Sequence, residues 1–221
     1  MSHNSSVVGG SAPFYWTVRN ALFITYKILF RFRTHGAKNV PGTKDPRGVI
    51  LAPNHTSYLD PPVLGISLGR RVTFLAKDYL FKHGFVGWIL RGIGAYPIKA
   101  DATNDFRSIR DLIRILKLGA CVSIFPEGTR SADGNFQEPE GGIGFIAMKS
   151  DCWVVPVYIK GSHEAMPRGA SGVRLKPVQA FFGEAFLATE EKFGAGDAAY
   201  RAVSRHIMEE IKKLKVLHEA V

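Results

Sequence analysis

Residues 49–60 read Val-Ile-Leu-Ala-Pro-Asn-His-Thr-Ser-Tyr-Leu-Asp, an apolar run followed directly by a histidine and an aspartate. The run is typical of a buried strand, and two prolines after Asp60 predict that a helix begins there. In α/β folds, chemistry gathers at the carboxyl end of a strand, on the turn into the next helix. Histidine accepts a proton near neutral pH, and a carboxylate on its other ring nitrogen fixes its tautomer. His55 and Asp60 are therefore the candidate base and the group that orients it.

A base of this kind acts on a hydroxyl group, and residues 54–60 do not decide which of two groups supplies it. Ser57 lies within the same stretch and is the first candidate. Alternatively, the hydroxyl belongs to the substrate, and the protein then needs no nucleophile of its own. The simplest non-catalytic reading is that His55 only packs at the end of a strand.

The rest of the chain alternates strand-like and helix-like segments. Strands are predicted at 49–53, 72–76, 95–98, 120–125, 153–159 and 173–182, and helices at 13–33, 61–69, 81–90, 103–118, 142–149 and 198–217. The helix at 103–118 has the clearest periodicity, with Thr103 or Asn104 as its cap and Gly119 after its end. This alternation predicts an α/β fold with a mostly parallel sheet flanked by helices on both faces.

The composition indicates a globular chain with an anionic partner. The 221 residues carry a formal net charge of +10. Such a balance favours nucleic acid, a membrane surface or a phosphorylated substrate, and the chain carries no nucleic-acid-binding motif. The two cysteines, Cys121 and Cys152, stand in apolar contexts and predict reduced core residues on the cytoplasmic side. The glycosylation pattern at 54–56 is discounted on the same ground.

Residues 13–33 form the predicted N-terminal amphipathic membrane-docking helix. Basic residues interrupt the apolar stretch, no acidic residue precedes Asp45, and the uncharged runs are too short to span a bilayer. We expect an interfacial helix on the cytoplasmic face, in a peripheral or monotopic protein, although docking on the core is the alternative. The aromatic residues assigned to headgroup depth are Phe14, Tyr15, Trp16, Phe23, Tyr26, Phe30 and Phe32.

A second polar motif, Phe125-Pro126-Glu127-Gly128-Thr129-Arg130, follows the strand predicted at 120–125. The carboxyl ends of parallel strands open on one edge of the sheet, so this motif is expected to face the His55 motif. Glycine permits close approach to a ligand, and a guanidinium suits phosphate. A bound phosphate is therefore the predicted partner of Arg130.

Together, the motif Asn54-His55-x-x-x-x-Asp60 and the motif at 125–130 resemble those of the glycerolipid acyltransferases, particularly the 1-acylglycerol-3-phosphate acyltransferases. The segments 94–99 and 155–159 resemble two further blocks of that family, so the resemblance covers roughly residues 40–185. It divides the chain into an N-terminal tail and interfacial helix at 1–39 and an acyltransferase domain at 40–221.

The resemblance implies that His55 deprotonates the free hydroxyl of a lysophospholipid, which then attacks an acyl thioester. Acyl-CoA or acyl–acyl carrier protein is the co-substrate, and neither a metal nor a cofactor is required. Substrate-binding residues are implied at six positions: Asn54, Lys99, Glu127, Gly128, Thr129 and Arg130. The expected partners are the lysophospholipid, the acyl donor and an anionic membrane surface.

One position departs from the family pattern, since Lys99 stands where an arginine is common, and a lysine lacks the planar fork. The acceptor is therefore open between 1-acylglycerol-3-phosphate, another lysolipid and glycerol-3-phosphate. Two other classes compete with the transferase. Gly65-Ile66-Ser67-Leu68-Gly69 matches the nucleophile elbow of serine hydrolases, although no strand precedes it. A membrane-binding module without chemistry would explain the charge but not the two polar motifs.

Overall fold

The computed structural model describes residues 9–99 and 106–219. In these residues eight strands form one sheet: β1 (Arg33–His35), β2 (Val49–Pro53), β3 (Thr73–Lys77), β4 (Tyr96–Ile98), β5 (Cys121–Ser123), β6 (Trp153–Lys160), β7 (Gln179–Phe182) and β8 (Phe186–Leu187). The order across the sheet is β1-β7-β6-β2-β5-β3-β4, with β8 paired to β6. Only the β6–β7 and β6–β8 pairs are antiparallel. The mostly parallel sheet predicted from the alternating pattern is confirmed.

The helices lie on both faces of this sheet. Eight α-helices fall within the described residues: α1 (Ala12–Leu29), α2 (Asp60–Ser67), α3 (Gly84–Ile93), α4 (Phe106–Lys117), α5 (Gly141–Ser150), α6 (Ser162–Ala165), α7 (Glu190–Phe193) and α8 (Gly196–Glu219). Short 3₁₀ turns cover Ala37–Asn39 and Asp78–Lys82. The predicted caps of α4, Thr103 and Asn104, lie outside the described residues.

Strand β2 separates two apolar layers by its pleat. Ile50 and Ala52 pack with α4, α5 and α8, whereas Val49 and Leu51 pack with α1 and α2. Successive side chains of a strand point to opposite faces, so a strand buried on both faces reads as a continuous apolar run. The topology agrees with this division. Parallel crossovers are right-handed, and the chain runs outward from β2 to β4 and then returns to β5, so the helices before and after β4 lie on opposite faces. We call these the α4 face and the α1 face.

The N-terminal segment differs from the prediction in its aromatic residues. Four of the aromatic side chains assigned to headgroup depth, Tyr15, Tyr26, Phe30 and Phe32, are buried in the protein core. The helix ends at Leu29, and residues 33–35 continue as an edge strand of the sheet. Aromatic residues are as effective in a protein core as at a membrane interface, and composition alone does not distinguish the two. The assignment of these four residues to the interface was wrong.

Strand β7 is also shorter than predicted. It begins at Gln179 rather than at residue 173, and Val173 and Leu175 are exposed in an irregular segment before it. Pro177 removes a backbone donor from this segment, and the Lys176 N–H donates to the Arg174 carbonyl in a tight turn. The alternating apolar pattern at 173–178 therefore does not continue the sheet.

Helices α5 and α8 are in close contact at Gly144. A Cβ atom placed there would lie 2.0 Å from the Tyr200 carbonyl oxygen, and the Gly144 N–H donates to Ser204 Oγ at 3.1 Å. We expect Gly144→Ala to destabilise the protein by about 1–3 kcal/mol through overpacking. The matched control is Gly142→Ala in the same helix, where a Cβ meets nothing within 4 Å. Chemical denaturation should show the control to be neutral or up to about 1 kcal/mol more stable. Equal stabilities would contradict this packing.

Candidate active site

The turn from β2 into α2 brings His55 and Asp60 together. The His55 Nδ1 atom lies 2.9 Å from Asp60 Oδ2, and Asp60 is 0% exposed. Because a carboxylate oxygen accepts, Nδ1 carries the proton and the lone pair of the ring lies on Nε2. This is the arrangement in which a histidine acts as a general base.

Asp60 also folds the loop that carries His55. Its Oδ2 atom accepts the backbone N–H groups of Thr56 and Ser57, both at 2.8 Å. Asp60 is the first residue of α2, where the helix dipole favours a negative charge. One buried carboxylate oxygen therefore fixes the imidazole and the backbone of the next two residues.

Neither serine proposed as a nucleophile is placed for that role. Ser57 is buried, and its hydroxyl donates to the Met166 carbonyl at 2.7 Å. Ser67 is the last residue of α2 and donates to the Val63 carbonyl at 2.6 Å. A nucleophile elbow requires a strand, a sharp turn and then a helix, and Ser67 lies at the end of a helix instead. These contacts favour a hydroxyl of the substrate, and not one of these serines, as the group on which a base at His55 would act.

The second motif holds His55 from the neighbouring strand. Strands β2 and β5 are parallel and adjacent, so the two loops leave the same edge of the sheet. Glu127 Oε1 accepts the His55 N–H at 2.8 Å, and Oε2 accepts the Gln137 N–H at 3.0 Å. The Ser131 N–H donates to the His55 carbonyl at 2.8 Å. Both backbone groups of His55 are thus bound by the loop after β5.

These contacts place Glu127 beneath the site. The side chain is buried, and burial raises the pKa of Glu127, opposed by the two backbone hydrogen bonds. Both carboxylate oxygens already accept backbone donors, which indicates a positioning role. The predicted contact of Glu127 with the substrate stays a prediction.

Phe125 contacts His55 directly, although no role was predicted for it from the sequence. Its ring stacks on the His55 imidazole with the ring centroids 3.7 Å apart and the planes at 22°. The stacked ring restricts rotation of the imidazole about the axis that Asp60 defines. The sequence offered one indication of this contact, which is an aromatic residue at the start of the second polar motif, directly before Pro126.

Arg130 lies beside the histidine motif, as predicted. Its guanidinium carbon is 3.5 Å from the centroid of the Tyr58 ring. Its Nη1 atom is buried and has no hydrogen-bond partner among the described residues. Buried guanidinium donors are normally satisfied, and a donor without a partner is also found in Arg19, Arg70 and Arg71, so the predicted phosphate contact of Arg130 stays a prediction.

Arg168 is a second cation at this edge, and it was not among the predicted site residues. It follows β6, the other neighbour of β2, and its Nη1 atom donates to the Arg130 carbonyl at 3.1 Å. The signal was topological, since a loop after a parallel strand next to β2 must reach the same edge.

Asn54 belongs to the scaffold. Its Nδ2 donates to the Ile159 carbonyl at 3.2 Å, and its Oδ1 accepts the Ile159 N–H at 2.7 Å. The buried carboxamide therefore ties the end of β2 to β6 instead of facing a ligand. These two contacts favour a structural role, and the substrate-binding role expected for Asn54 stays a prediction.

Of the three remaining predicted residues, two lie near Arg130 and one lies farther along the sheet. Gly128, with φ of +66°, and Thr129 are exposed in the loop beside Arg130. Lys99 follows β4, which lies three strand positions from β2, or roughly 14 Å at about 4.8 Å per strand. All three leave the carboxyl edge of the sheet, and their contacts with substrate stay predictions.

Comparison with known proteins agrees with this geometry. A family model described as Acyltransferase matches residues 31–160. A chloroplastic 1-acyl-sn-glycerol-3-phosphate acyltransferase of Arabidopsis thaliana is 32% identical over 145 residues, which are 65% of this chain and 40% of that protein. A 1-acyl-sn-glycerol-3-phosphate acyltransferase of Bacillus subtilis is 30% identical over 115 residues, covering 52% of this chain and 56% of that protein.

A solved structure shares the fold. The crystal structure of the 1-acyl-sn-glycerophosphate acyltransferase PlsC from Thermotoga maritima superposes with a TM-score of 0.71 at 25% identity, covering 91% of this chain and 81% of that chain. The chain belongs to the acyltransferase family, whose model spans both polar motifs. It matches about 40% of the length of its relatives from Arabidopsis thaliana and Brassica napus.

Glu127→Gln tests the positioning role. A glutamine has one acceptor oxygen, so one of the two backbone N–H groups would face the amide NH₂ group and the His55 backbone would shift. A misplacement of about 1 Å lowers turnover on the order of 10²-fold, so we expect kcat to fall while the KM values of both substrates change little. The matched control, Glu138→Gln, changes an exposed residue of the same loop and should behave as the wild type. A rise confined to the acceptor KM would instead assign Glu127 to substrate binding.

Proposed function

We propose that this protein transfers a fatty acyl group from an acyl thioester to the free hydroxyl of 1-acylglycerol-3-phosphate, giving phosphatidic acid. The observation that carries the proposal is the His55–Asp60 pair beside Arg130, whose buried Nη1 lacks a partner in the described chain. The pair supplies a base, and the guanidinium supplies a site for a phosphate. An acceptor that carries both a hydroxyl and a phosphate satisfies both.

The chemistry follows from the geometry of His55. Nε2 removes the proton of the acceptor hydroxyl as its oxygen attacks the thioester carbonyl, and Asp60 stabilises the imidazolium that forms. The tetrahedral intermediate collapses with cleavage of the C–S bond. The departing thiolate takes the proton back from the imidazolium, so His55 is regenerated and a free thiol leaves. Because the thioester is already activated, the mechanism needs no covalent enzyme intermediate.

The phosphate of the acceptor would bind between Arg130 and Arg168. A guanidinium makes short, charge-assisted hydrogen bonds to phosphate oxygens. Tyr58 supports the Arg130 guanidinium by stacking, which limits the conformational entropy lost on binding. The names of the relatives, which specify 1-acyl-sn-glycerol-3-phosphate, support this acceptor over another lysolipid or glycerol-3-phosphate.

We also propose that the α1 face docks on the cytoplasmic surface of an anionic membrane. Ile24 and Ile28 on α1 are 59% and 71% exposed, and Phe85 and Trp88 on α3 are 73% and 55% exposed. Phe14 joins the two helices through an edge contact with Trp88 at 4.9 Å between ring centroids. None of the described helices combines the length and hydropathy that a bilayer crossing requires. Both substrates carry fatty chains, and this exposed apolar surface would bring the site to them.

The enzymatic proposal is tested with purified protein, a labelled acyl thioester and a panel of three acceptors: 1-acylglycerol-3-phosphate, glycerol-3-phosphate and a lysolipid with a choline headgroup. We expect labelled phosphatidic acid from the first acceptor, and a loss on the order of 10²–10⁴-fold in His55→Ala. The exposed His83→Ala is the matched control. A folded His55→Ala variant with near-normal turnover would remove His55 from the mechanism.

Membrane docking is tested by replacing Ile24 and Ile28 together with glutamate. Burying such a side chain is worth about 1.5–3 kcal/mol, so binding to phosphatidylglycerol-containing vesicles should weaken about tenfold or more. The matched control replaces Val216 and Leu217, which are exposed on α8, with glutamate. If both variants sedimented with vesicles as the wild type does, the docking surface would lie elsewhere.

A further inference from the structure

Helix α4 presents a row of cations to solvent. Arg107, Arg110, Arg114 and Lys117 are all exposed, and their spacing of three, four and three residues places them on one helical face. Ten residues at about 1.5 Å per residue make this row roughly 15 Å long. We call these four residues the α4 basic row.

The row is electrostatically unfavourable for the folded protein. Like charges three or four residues apart on a helix destabilise it. None of the four cations forms an ion pair with a described residue. The acidic residue within α4, Asp111, accepts the Tyr96 hydroxyl at 2.5 Å and points toward the sheet edge. The dipole of α4 favours the two cations in its last turn, Arg114 and Lys117, but it does not account for Arg107 and Arg110, so a ligand of opposite charge is the explanation that covers the whole row.

Two exposed apolar residues stand at the ends of this face. Phe106 is 77% exposed and Leu118 is 53% exposed. Positions 106, 110, 114 and 118 follow one another at intervals of four residues, so an aromatic, two arginines and a leucine form one ridge. Arginine and aromatic residues are enriched where proteins bind each other. The ridge therefore suits an acidic protein surface better than a small anion.

The position of α4 decides between a membrane and a soluble partner. Leu112 and Leu116 of α4 pack on the face of the sheet opposite to α1. A membrane on the α1 face would leave the α4 basic row in the aqueous phase. Helix α4 begins after β4 at the carboxyl edge of the parallel strands, which is the edge that carries His55. The N-terminal end of the row therefore lies toward the edge of the sheet that carries the site.

We propose that the α4 basic row docks a soluble acidic protein that presents the acyl chain as its thioester, an acyl carrier protein. The inference rests on the proposed acyl transfer and extends it by naming the form of the donor. Charge complementarity along the row would speed association and orient the carrier so that its thioester reaches the edge where His55 lies. Acyl-CoA, which offers no comparable protein surface, would react without using the row.

The test reverses two charges in the row with Arg110→Glu and Arg114→Glu combined. The matched control reverses Arg201 and Arg205, which are exposed at the same spacing on α8. Steady-state kinetics use palmitoyl–acyl carrier protein and palmitoyl-CoA in turn, and fluorescence anisotropy measures binding of labelled holo-acyl carrier protein. We expect the KM for the carrier-bound donor and the Kd to rise about tenfold or more, with added salt weakening wild-type binding. Kinetics with palmitoyl-CoA should stay within about twofold in both variants.

Three results would overturn the proposal. They are unchanged carrier-protein binding in the α4 variant, an equal loss in the α8 control, and a wild-type chain that uses palmitoyl-CoA but does not bind the carrier protein. Loss of vesicle binding in the α4 variant would instead make the row a membrane contact. A wild type that transfers from neither donor would defeat the proposed function, and the anisotropy measurement would still decide whether the row docks the carrier protein.

Discussion

A single carboxylate oxygen, Asp60 Oδ2, is the constraint on which the site depends. It is buried and accepts three hydrogen bonds, from the His55 imidazole and from two backbone N–H groups. A buried charge requires compensation, and here all of it reaches Oδ2, because the buried Oδ1 has no hydrogen-bond partner among the described residues. The donors are the imidazole that we propose as the base and the backbone of its own loop. The loop cannot relax without leaving the carboxylate unpaired. The orientation of the imidazole and the conformation of its loop therefore depend on the same carboxylate oxygen, which is held between the end of β2 and the start of α2.

The parallel sheet then assembles the rest of the site around this oxygen. Strand β2 lies between β5 and β6, and each of the three strands sends a loop to the same edge. The loop after β5 binds both backbone groups of His55 and places Arg130 on Tyr58. The loop after β6 is tied to the first two by Arg168 and by Ser57. Three local sequences that are far apart in the chain become one surface because their strands are neighbours.

The sequence predicted the parts of this arrangement that depend on periodicity and on strand ends. The parallel sheet and the facing of the two motifs followed from buried runs that end in polar residues. The roles of Glu127 and Asn54 were harder to predict, because a sequence identifies a carboxylate or a carboxamide but not its hydrogen-bond partners. Both side chains are engaged by the backbone at the site. The aromatic residues of α1 were misassigned for a related reason, since a ring packs equally well against protein and against lipid.

The formal charge of +10 also needed the structure to be interpreted. Three arginines are used internally to cap the ends of helices. Arg19 donates to carbonyls at the end of α2, Arg71 to the Ile93 carbonyl that ends α3, and Arg70 to the Gly119 carbonyl just after α4. Cations at these positions stabilise helix termini, so they report on the fold and not on a partner. The cations that we propose to bind ligands are Arg130 and Arg168 beside the proposed base and the row along α4. The net charge of a chain therefore predicts an anionic partner. The hydrogen bonds of each guanidinium are needed to separate the arginines that stabilise the fold from those that are candidates for binding the partner.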